Sequence, residues 1–145
     1  MRWMTRERIR MDRAACAWMI RRFIDPGAQF MFVPGDGALE RAKAENAVPF
    51  VIPGAEVARH GRRIGLDILV EQHRADDAAL SMLAGIVRAA DIRELRATVP
   101  EAAGLAAVLH GFFLLNRPDA ETLDLELPLF DALYRYCQEQ VIRGT

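Results

Sequence analysis

The chain has 145 residues, an apolar fraction of 52% and a formal net charge of -1. A chain of this length fits one domain and buries roughly two-thirds of the surface that it exposes when unfolded, so a substantial core is expected. The near-neutral charge argues against a polyanion-binding surface, and the high apolar fraction argues against intrinsic disorder.

Cysteine usage and hydropathy predict a cytoplasmic protein. Cys16 and Cys137 lie in separate apolar helical patterns, which is typical of reduced, buried thiols, although a bridge between them stays open. The N-terminus has no apolar run followed by a small-residue cleavage site, so no signal peptide is predicted. The longest apolar run, Ala102–Leu115, is interrupted by Gly104 and His110 and is shorter than the ~20 residues that a membrane helix needs.

The N-terminal half predicts strands that alternate with helices. QFMFVP alternates and is rich in aromatic and branched residues, which is typical of a strand. Pro49 predicts that the third strand lies at a sheet edge or begins there, because proline cannot donate to a neighbouring strand. In chain order, the predicted elements are a strand at Trp3–Thr5, a helix at Asp12–Ile24, a strand at Gln29–Pro34, a short helix at Asp36–Asn46 and a strand at Val48–Ile52.

The C-terminal half is predicted to be helical throughout. Apolar residues recur at helical spacing from Leu66 onward, and the acidic pair Asp76–Asp77 suits a helix start. The segment Glu101–Asn116 is apolar nearly all round, which predicts a central buried helix with His110 as a core histidine. Pro128 is expected to break or kink the last helix. The predicted helices are Leu66–His73, Ala79–Ile92, Glu101–Asn116, Pro118–Leu127 and Leu129–Val141.

These elements predict an α+β fold: a mainly helical single domain over residues 1–145 with a small N-terminal β-sheet. No internal repeat, low-complexity tract or linker interrupts the sequence. The sequence leaves the oligomeric state open, a homo-oligomer included.

The first helix combines an apolar stripe with an unusual density of arginine. At ~100° per residue, Cys16, Ile20 and Phe23 fall on one arc, and that arc also contains Asp12 and Arg13. A buried arginine needs a partner, because an unpaired charge away from water costs several kcal/mol. Two readings stay open: Asp12 and Arg13 pair at the helix start, or Arg13 lines a pocket that receives an anion. The two cysteines are expected to pack in the core.

The segment Pro53–Arg63 is the second candidate site region, because it is aperiodic and dense in ionisable residues. Glu56 and His60 are four residues apart, so on a helical turn both could ligate one divalent metal ion, with Asp91 or Glu101 as a third ligand. Arginines offer a different chemistry, since guanidinium groups make paired hydrogen bonds to tetrahedral oxyanions. The candidate ligand-binding residues are Asp12, Arg13, Arg21, Arg59 and Arg62, and the arginines among them, with Arg63, are the candidates for binding an anion.

The opening TRERIRMDRAACAWMIRRFID, at Thr5–Asp25, is a long motif and therefore a specific one. It closely resembles the start of the bacterial chromate-resistance ChrB C-terminal domain family, and the resemblance covers nearly the whole chain. Further segments follow in the same order. They are Phe32–Pro34, Val48–Phe50, Pro53–Glu56, His60–Gly61, Ile86–Asp91, Pro100–Leu105 and Asp131–Tyr134, followed by Cys137.

The resemblance implies a role in chromate resistance. Members of this family accompany chromate-efflux genes, and the fuller versions resemble chromate-responsive regulators with an additional N-terminal region. If that region supplies DNA binding, no direct nucleic-acid binding is expected from this chain.

The loop of this chain departs from the family pattern, which carries two adjacent histidines before glycine, then Cys or Ser followed by Phe and Glu. Here Arg59 stands at the first histidine position, Ile64 at the cysteine position and Asp67 at the acidic position. The family pattern also has a proline directly after the first-helix cysteine, and this chain has Ala17 at that position. These departures argue against a thiolate-based metal or redox centre in the loop, and Arg59 favours anion binding.

Three functional hypotheses result. The leading one is a non-catalytic sensing module that binds an oxyanion or a metal ion through the first helix and the loop at residues 54–63. The second is a metal-dependent enzyme whose Glu56 and His60 hold the ion, with Asp12 or Asp91 as base. The third is an interaction domain with a degenerate site.

Overall fold

A computed structural model describes residues 1–144 and places a three-stranded parallel sheet beside a larger helical layer. The strands are β1 at Arg2–Arg6, β2 at Gln29–Val33 and β3 at Val48–Pro49, in the spatial order β2-β1-β3. Met4 of β1 lies opposite Met31 of β2 and opposite Pro49 of β3. The three predicted strands and the edge position of Pro49 are confirmed, and so is the α+β class.

The helices follow the predicted order. The first helix continues directly into a π-helical segment at Ile20–Ile24, and a 3₁₀ segment at Arg93–Thr98 follows the fourth. The helices are α1 at Met11–Met19, α2 at Ala38–Ala44, α3 at Gly65–His73, α4 at Ala78–Asp91, α5 at Ala102–Leu115 and α6 at Asp119–Ile142.

Helix α1 lies at the centre of the helical layer and packs against α3, α4 and α6. Its Trp18 is 1% exposed and packs against Phe23, Phe130 and Tyr134. The Trp18 indole donates a 2.8 Å hydrogen bond to Asp131, which satisfies its one polar atom. The same helix therefore carries the core stripe and, at its N-terminal end, the charged residues that the sequence singled out.

Helix α6 does not break at Pro128. It is helical from Asp119 to Ile142, with Pro128 inside it on the exposed side. A proline removes one backbone donor from the helix, but a carbonyl left free on the solvent side can bond to water. The predicted break is therefore wrong, and exposure reduces the cost of the lost hydrogen bond.

The expectation that α5 is a central buried helix is also wrong. Only Ala102, Ala106 and Leu109 of α5 are buried, whereas Leu114 is 65% and Leu115 is 59% exposed. The helix packs on one side only, against α4 and the 3₁₀ segment. Across residues 1–144, no helix combines the length and apolarity needed to cross a membrane.

Both cysteines are free and fully buried, as expected of core thiols. Burial raises the pKa of Cys16 well above its usual value, and the nearby Asp12 carboxylate adds to the effect. Burial likewise raises the pKa of Cys137 to about 11. Because a thiolate is the reactive form, neither residue has the environment of a redox or metal-binding cysteine.

Two fully buried polar side chains of the core, Thr5 and Glu126, each have an oxygen without a hydrogen-bond partner among the described residues. Of the two, only Glu126 can ionise. Glu126 of α6 is 2% exposed, and its Oε2 atom is buried without a donor nearby. Burial alone raises the pKa of this carboxyl to about 8. Glu126 is therefore protonated in the folded state across much of the neutral range, and it links stability to pH.

Candidate functional site

Asp12, the first charged residue of α1, joins that helix to the start of α3. Its Oδ2 accepts a 2.7 Å hydrogen bond from the Gly65 amide, and its Oδ1 accepts a 2.9 Å bond from the Leu66 amide. These two amides begin α3 and have no acceptor within their own helix. Asp12 therefore caps α3 from another helix. It does not pair with Arg13, and the predicted Asp12–Arg13 pair is wrong.

Gly65 permits this close approach. A Cβ atom at this position would lie 2.8 Å from Val51 Cγ2, 3.1 Å from Asp12 Oδ2 and 3.2 Å from Cys16 Sγ. Backbone amides can reach the Asp12 carboxylate only because no side chain intervenes. Burial raises the pKa of Asp12 to about 6, against the opposing effect of the two amide hydrogen bonds.

Beside this junction lies a cavity of about 450 Å³, which we call the arginine cleft. Five arginines and two aspartates are among its lining residues, so positive charge dominates. The first turn of α1 lines the same cleft, and Arg10 gives that helix no side-chain cap. A helix N-terminus carries partial positive charge and attracts anions. The cleft is lined by Arg10, Met11, Asp12, Arg13, Val51, Arg59, Asp91, Arg93 and Arg96.

Arg13 is the residue of the cleft that most lacks a partner. Its side chain is half-buried, and its Nε atom is buried without a hydrogen-bond acceptor among the described residues. Burial lowers the pKa of Arg13, and the neighbouring Arg6 and Arg10 guanidinium groups lower it further. An anion in the cleft would supply an opposite charge, which would favour the charged form of Arg13.

The remaining charged groups of the cleft come from three separate segments. Arg59 lies on the loop before α3, Asp91 ends α4, and Arg96 belongs to the 3₁₀ segment. Burial raises the pKa of Asp91, although Arg59, Arg13 and further arginines act in the opposite direction. Arg96 donates a 2.6 Å hydrogen bond to the Ala90 carbonyl, yet its Nε is also buried without an acceptor.

A second, wider cavity of about 900 Å³ adjoins the cleft and shares Arg10, Arg13 and Val51 with it. At its edge, Phe113 of α5 holds two arginines by cation–π contacts, with Arg8 Cζ at 4.2 Å and Arg10 Cζ at 4.6 Å from the ring centre. His110 stacks on Phe113 and lies 3.2 Å from an Arg10 nitrogen.

The environment of His110 contradicts its expected place in the core. The residue is exposed at this edge of the wider cavity, because α5 packs on one side only. The ring therefore contacts Arg10 of the cleft and does not pack inside the protein.

Val51 lines both cavities in a strained backbone conformation. Its φ is 50°, a left-handed value that a β-branched residue rarely adopts. Its amide donates a 2.6 Å hydrogen bond to the Val57 carbonyl, which holds the loop in this shape. Such strain persists only where the surroundings enforce it, and it is common at ligand sites.

The candidate metal ligands are not brought together. Glu56 accepts a 2.8 Å hydrogen bond from Gln72, His60 is exposed in a short bridge with Arg63, and Asp91 lies in the arginine cleft. Within residues 1–144, no group of three or more His, Cys, Asp or Glu side chains is arranged to hold a metal ion. The described residues thus offer an oxyanion a richer set of partners than they offer a divalent metal.

Two candidate anion ligands lie away from the cleft. Arg21 donates a 3.0 Å hydrogen bond to the Ala28 carbonyl and stacks over Phe30, so it braces the turn before β2. Arg62 is exposed on the loop and lines neither cavity. Glu101, the alternative third metal ligand, accepts a 2.6 Å hydrogen bond from the Tyr136 hydroxyl.

Sequence reasoning missed Arg10, Arg93 and Arg96 as cleft residues. Arg10 comes directly before the first helix, where no apolar pattern fixes its direction. Arg93 and Arg96 lie in a 3₁₀ segment that the periodicity of α4 does not include. The sequence signal for Arg93 and Arg96 is their proximity to Asp91. These two basic residues, three positions apart, follow that carboxylate.

Comparison with known proteins supports the resemblance noted from the sequence. The family described as "ChrB, C-terminal domain" matches residues 3–137. The chain is 33% identical over 135 residues to "Protein ChrB" of Cupriavidus metallidurans, across 92% of this chain and 40% of that protein. It therefore spans less than half the length of that relative. No solved structure matches the chain significantly.

Proposed function

The chain belongs to the ChrB C-terminal domain family, and we propose that it is a binding module that takes up a tetrahedral oxyanion, chromate above all, in the arginine cleft. The observation that carries the proposal is the buried, unpartnered Nε of Arg13 in a cavity lined by five arginines. Chromate comes from the family resemblance, and the anion chemistry comes from the cleft.

The geometry suits an anion for three physical reasons. Guanidinium groups donate paired hydrogen bonds to two oxygens of one oxyanion, which a point charge such as lysine does not. The first turn of α1 adds backbone donors and the positive end of a helix dipole. Burial raises the pKa values of Asp12 and Asp91, so the negative charge that would oppose an anion is neutralised at a higher pH than that of ordinary aspartates.

The cleft lacks the features of a catalytic centre for covalent chemistry. Both thiols are buried in the core, and each carboxylate of the cleft is surrounded by arginines or fixed to amides. A sensing or binding role needs only that occupancy changes the charge balance of the cleft. In this proposal, the ligand holds together three segments that carry its arginines: the first turn of α1, the loop at Arg59 and the 3₁₀ segment.

Titration calorimetry on the folded, full-length chain tests this proposal. We expect saturable heat with chromate and with sulfate, because the two ions share shape and charge. The affinity should fall as sodium chloride is added, since salt screens exposed charge. Titrations with divalent metal salts in chloride form serve as the comparison. Absence of heat with both oxyanions, on protein whose folding is verified by circular dichroism, contradicts the proposal.

A further inference from the structure

The outward face of α5 is apolar and uncovered. No residue from Ala102 to Leu115 carries a formal charge, and Val108, Leu114 and Leu115 are 47%, 65% and 59% exposed. A helix that is apolar on all sides is normally buried on all sides. Leu125 of the neighbouring α6, 46% exposed, adds to the exposed apolar surface of the two helices. The wider cavity lies on the other side of α5, where Phe113 lines it.

Two glycines on this face have no explanation within the chain. Gly104 and Gly111 lie inside α5, where glycine is less stable than alanine by roughly 1 kcal/mol at each position. A Cβ atom at either position would meet nothing within 4 Å, and neither glycine has a positive φ. Neither close packing nor backbone conformation within the described residues therefore requires them. A surface that approaches α5 from outside would require them.

Four residues of this surface form a narrower stripe with heptad-like spacing, which we call the notched face and which does not include Leu114. Gly104, Val108, Gly111 and Leu115 are four, three and four residues apart, and at ~100° per residue they fall within about 60° of one another. Two exposed side chains alternate with two notches along a helix about 21 Å long. Knobs that alternate with holes at this spacing are the pattern of packed helix pairs.

We propose that α5 is a homodimer interface in which two copies of the chain pack face to face in antiparallel orientation. A two-fold axis through the midpoint between Leu109 and His110 places each Leu115 against the partner helix at Gly104. The same axis places each Val108 against the partner helix at Gly111. One symmetry operation thus fills all four notches, which is the self-complementarity that an isologous interface requires.

The absence of charge on the face argues against charged partners, and the self-complementary spacing of its glycines and apolar side chains favours a second copy. An uncharged surface offers nothing to nucleic acid, to an acidic peptide or to an anionic lipid surface, each of which is recognised through cations. Two copies of α5 meet without repulsion, because the helix carries no charged side chain. His110 and Phe113, the residues of α5 at the wider cavity, lie on the other side of the helix from the notched face, so the dimer leaves that cavity and the adjoining arginine cleft open.

Sedimentation equilibrium tests the interface with two adjacent leucines as a matched pair. The wild-type chain is expected at twice its monomer mass of 16.3 kDa in the micromolar range. Leu115→Gln should shift it to the monomer mass, whereas Leu114→Gln, about 100° away on the helix, should leave the dimer intact. A monomeric wild type at every concentration, or equal behaviour of the two variants, overturns the proposal and leaves the face to another protein.

A swap of knob and notch tests the register. Gly111→Val alone sets two valines against each other and should weaken the dimer by at least tenfold, and so should Val108→Gly, which leaves a void. The double variant, Val108→Gly with Gly111→Val, restores one knob per notch and should recover most of the affinity. Circular dichroism confirms that each variant remains helical. A double variant no tighter than the singles contradicts the antiparallel register.

Discussion

Replacing Asp12 with alanine is expected to lower the free energy of unfolding by about 3 kcal/mol, because two buried amides would lose their acceptor. The carboxylate holds the Gly65 and Leu66 amides at 2.7 and 2.9 Å and is itself 6% exposed. Water cannot replace it without opening the contact between α1 and α3. The loss therefore exceeds that of an ordinary exposed helix cap, which is typically about 1 kcal/mol.

Urea unfolding followed by circular dichroism measures this effect at a pH above 7, where Asp12 is ionised. Asp12→Asn keeps one acceptor oxygen and should lose roughly half as much. Asp124→Ala, at an exposed position of α6, controls for the loss of a carboxylate as such and should change stability by less than about 0.5 kcal/mol. An Asp12→Ala protein as stable as the wild type would show that the amides find other acceptors.

Replacing Glu126 with leucine is expected to stabilise the protein, by about 3 kcal/mol at pH values near 9 and by much less under acidic conditions. The folded-state pKa of this carboxyl is about 8, above its usual value of 4.5. A group whose pKa is raised on folding contributes fully to stability below its unfolded pKa. That contribution is lost as the pH rises through the folded pKa. The wild type should therefore lose stability between about pH 5 and 9.

Chemical denaturation across this pH range separates the effect of ionising Glu126 on stability from the effect of its side-chain shape. Glu126→Gln is nearly isosteric and does not titrate, so its stability should vary less with pH than that of the wild type. Asp12 has a raised pKa as well, of about 6, so some dependence should remain below neutral pH. A Glu126→Gln protein with the full wild-type slope above pH 7 would show that Glu126 is ionised and hydrated in the folded state.

Local patterns predicted most elements of this fold but not their arrangement. Alternation with aromatic and branched residues predicted the strand at Gln29–Pro34, and helical spacing predicted the helices from Leu66 onward. The parallel order β2-β1-β3 was not predicted, because it depends on how α1 and α2 cross between strands. The π-helical end of α1 also escaped prediction, since its apolar spacing matches that of an ordinary helix.

Helix α5 shows why apolarity alone misplaces an element. Its composition indicates burial, but composition cannot tell whether the covering surface belongs to the same chain. Within the described residues, only one side of α5 is covered. The glycines at positions 104 and 111 distinguish the two cases, because their cost is unexplained by the chain's own packing.

The candidate site was predicted in part. Arg13 and Arg59 lie in the cleft because both flank the junction that Asp12 forms with α3, and the arc of the first helix and the basic loop indicated them. Arg21 lies about two helical turns beyond Arg13. Its guanidinium group therefore stacks over Phe30 and does not reach the cleft. The other cleft arginines come from segments that are distant in sequence. The periodicity of one segment cannot reveal that such segments meet in the fold.

The central claim is that Arg13 receives an oxyanion, and one comparison of variants tests it most directly. Arg13→Gln and Arg21→Gln each remove one half-buried guanidinium group from the first helix, but only Arg13 lines the cleft. Calorimetric titration with chromate should show at least about a tenfold weaker affinity for Arg13→Gln, or about 1.4 kcal/mol, and an unchanged affinity for Arg21→Gln. Equal affinities for Arg13→Gln and the wild type, or equal losses in both variants, would contradict the claim.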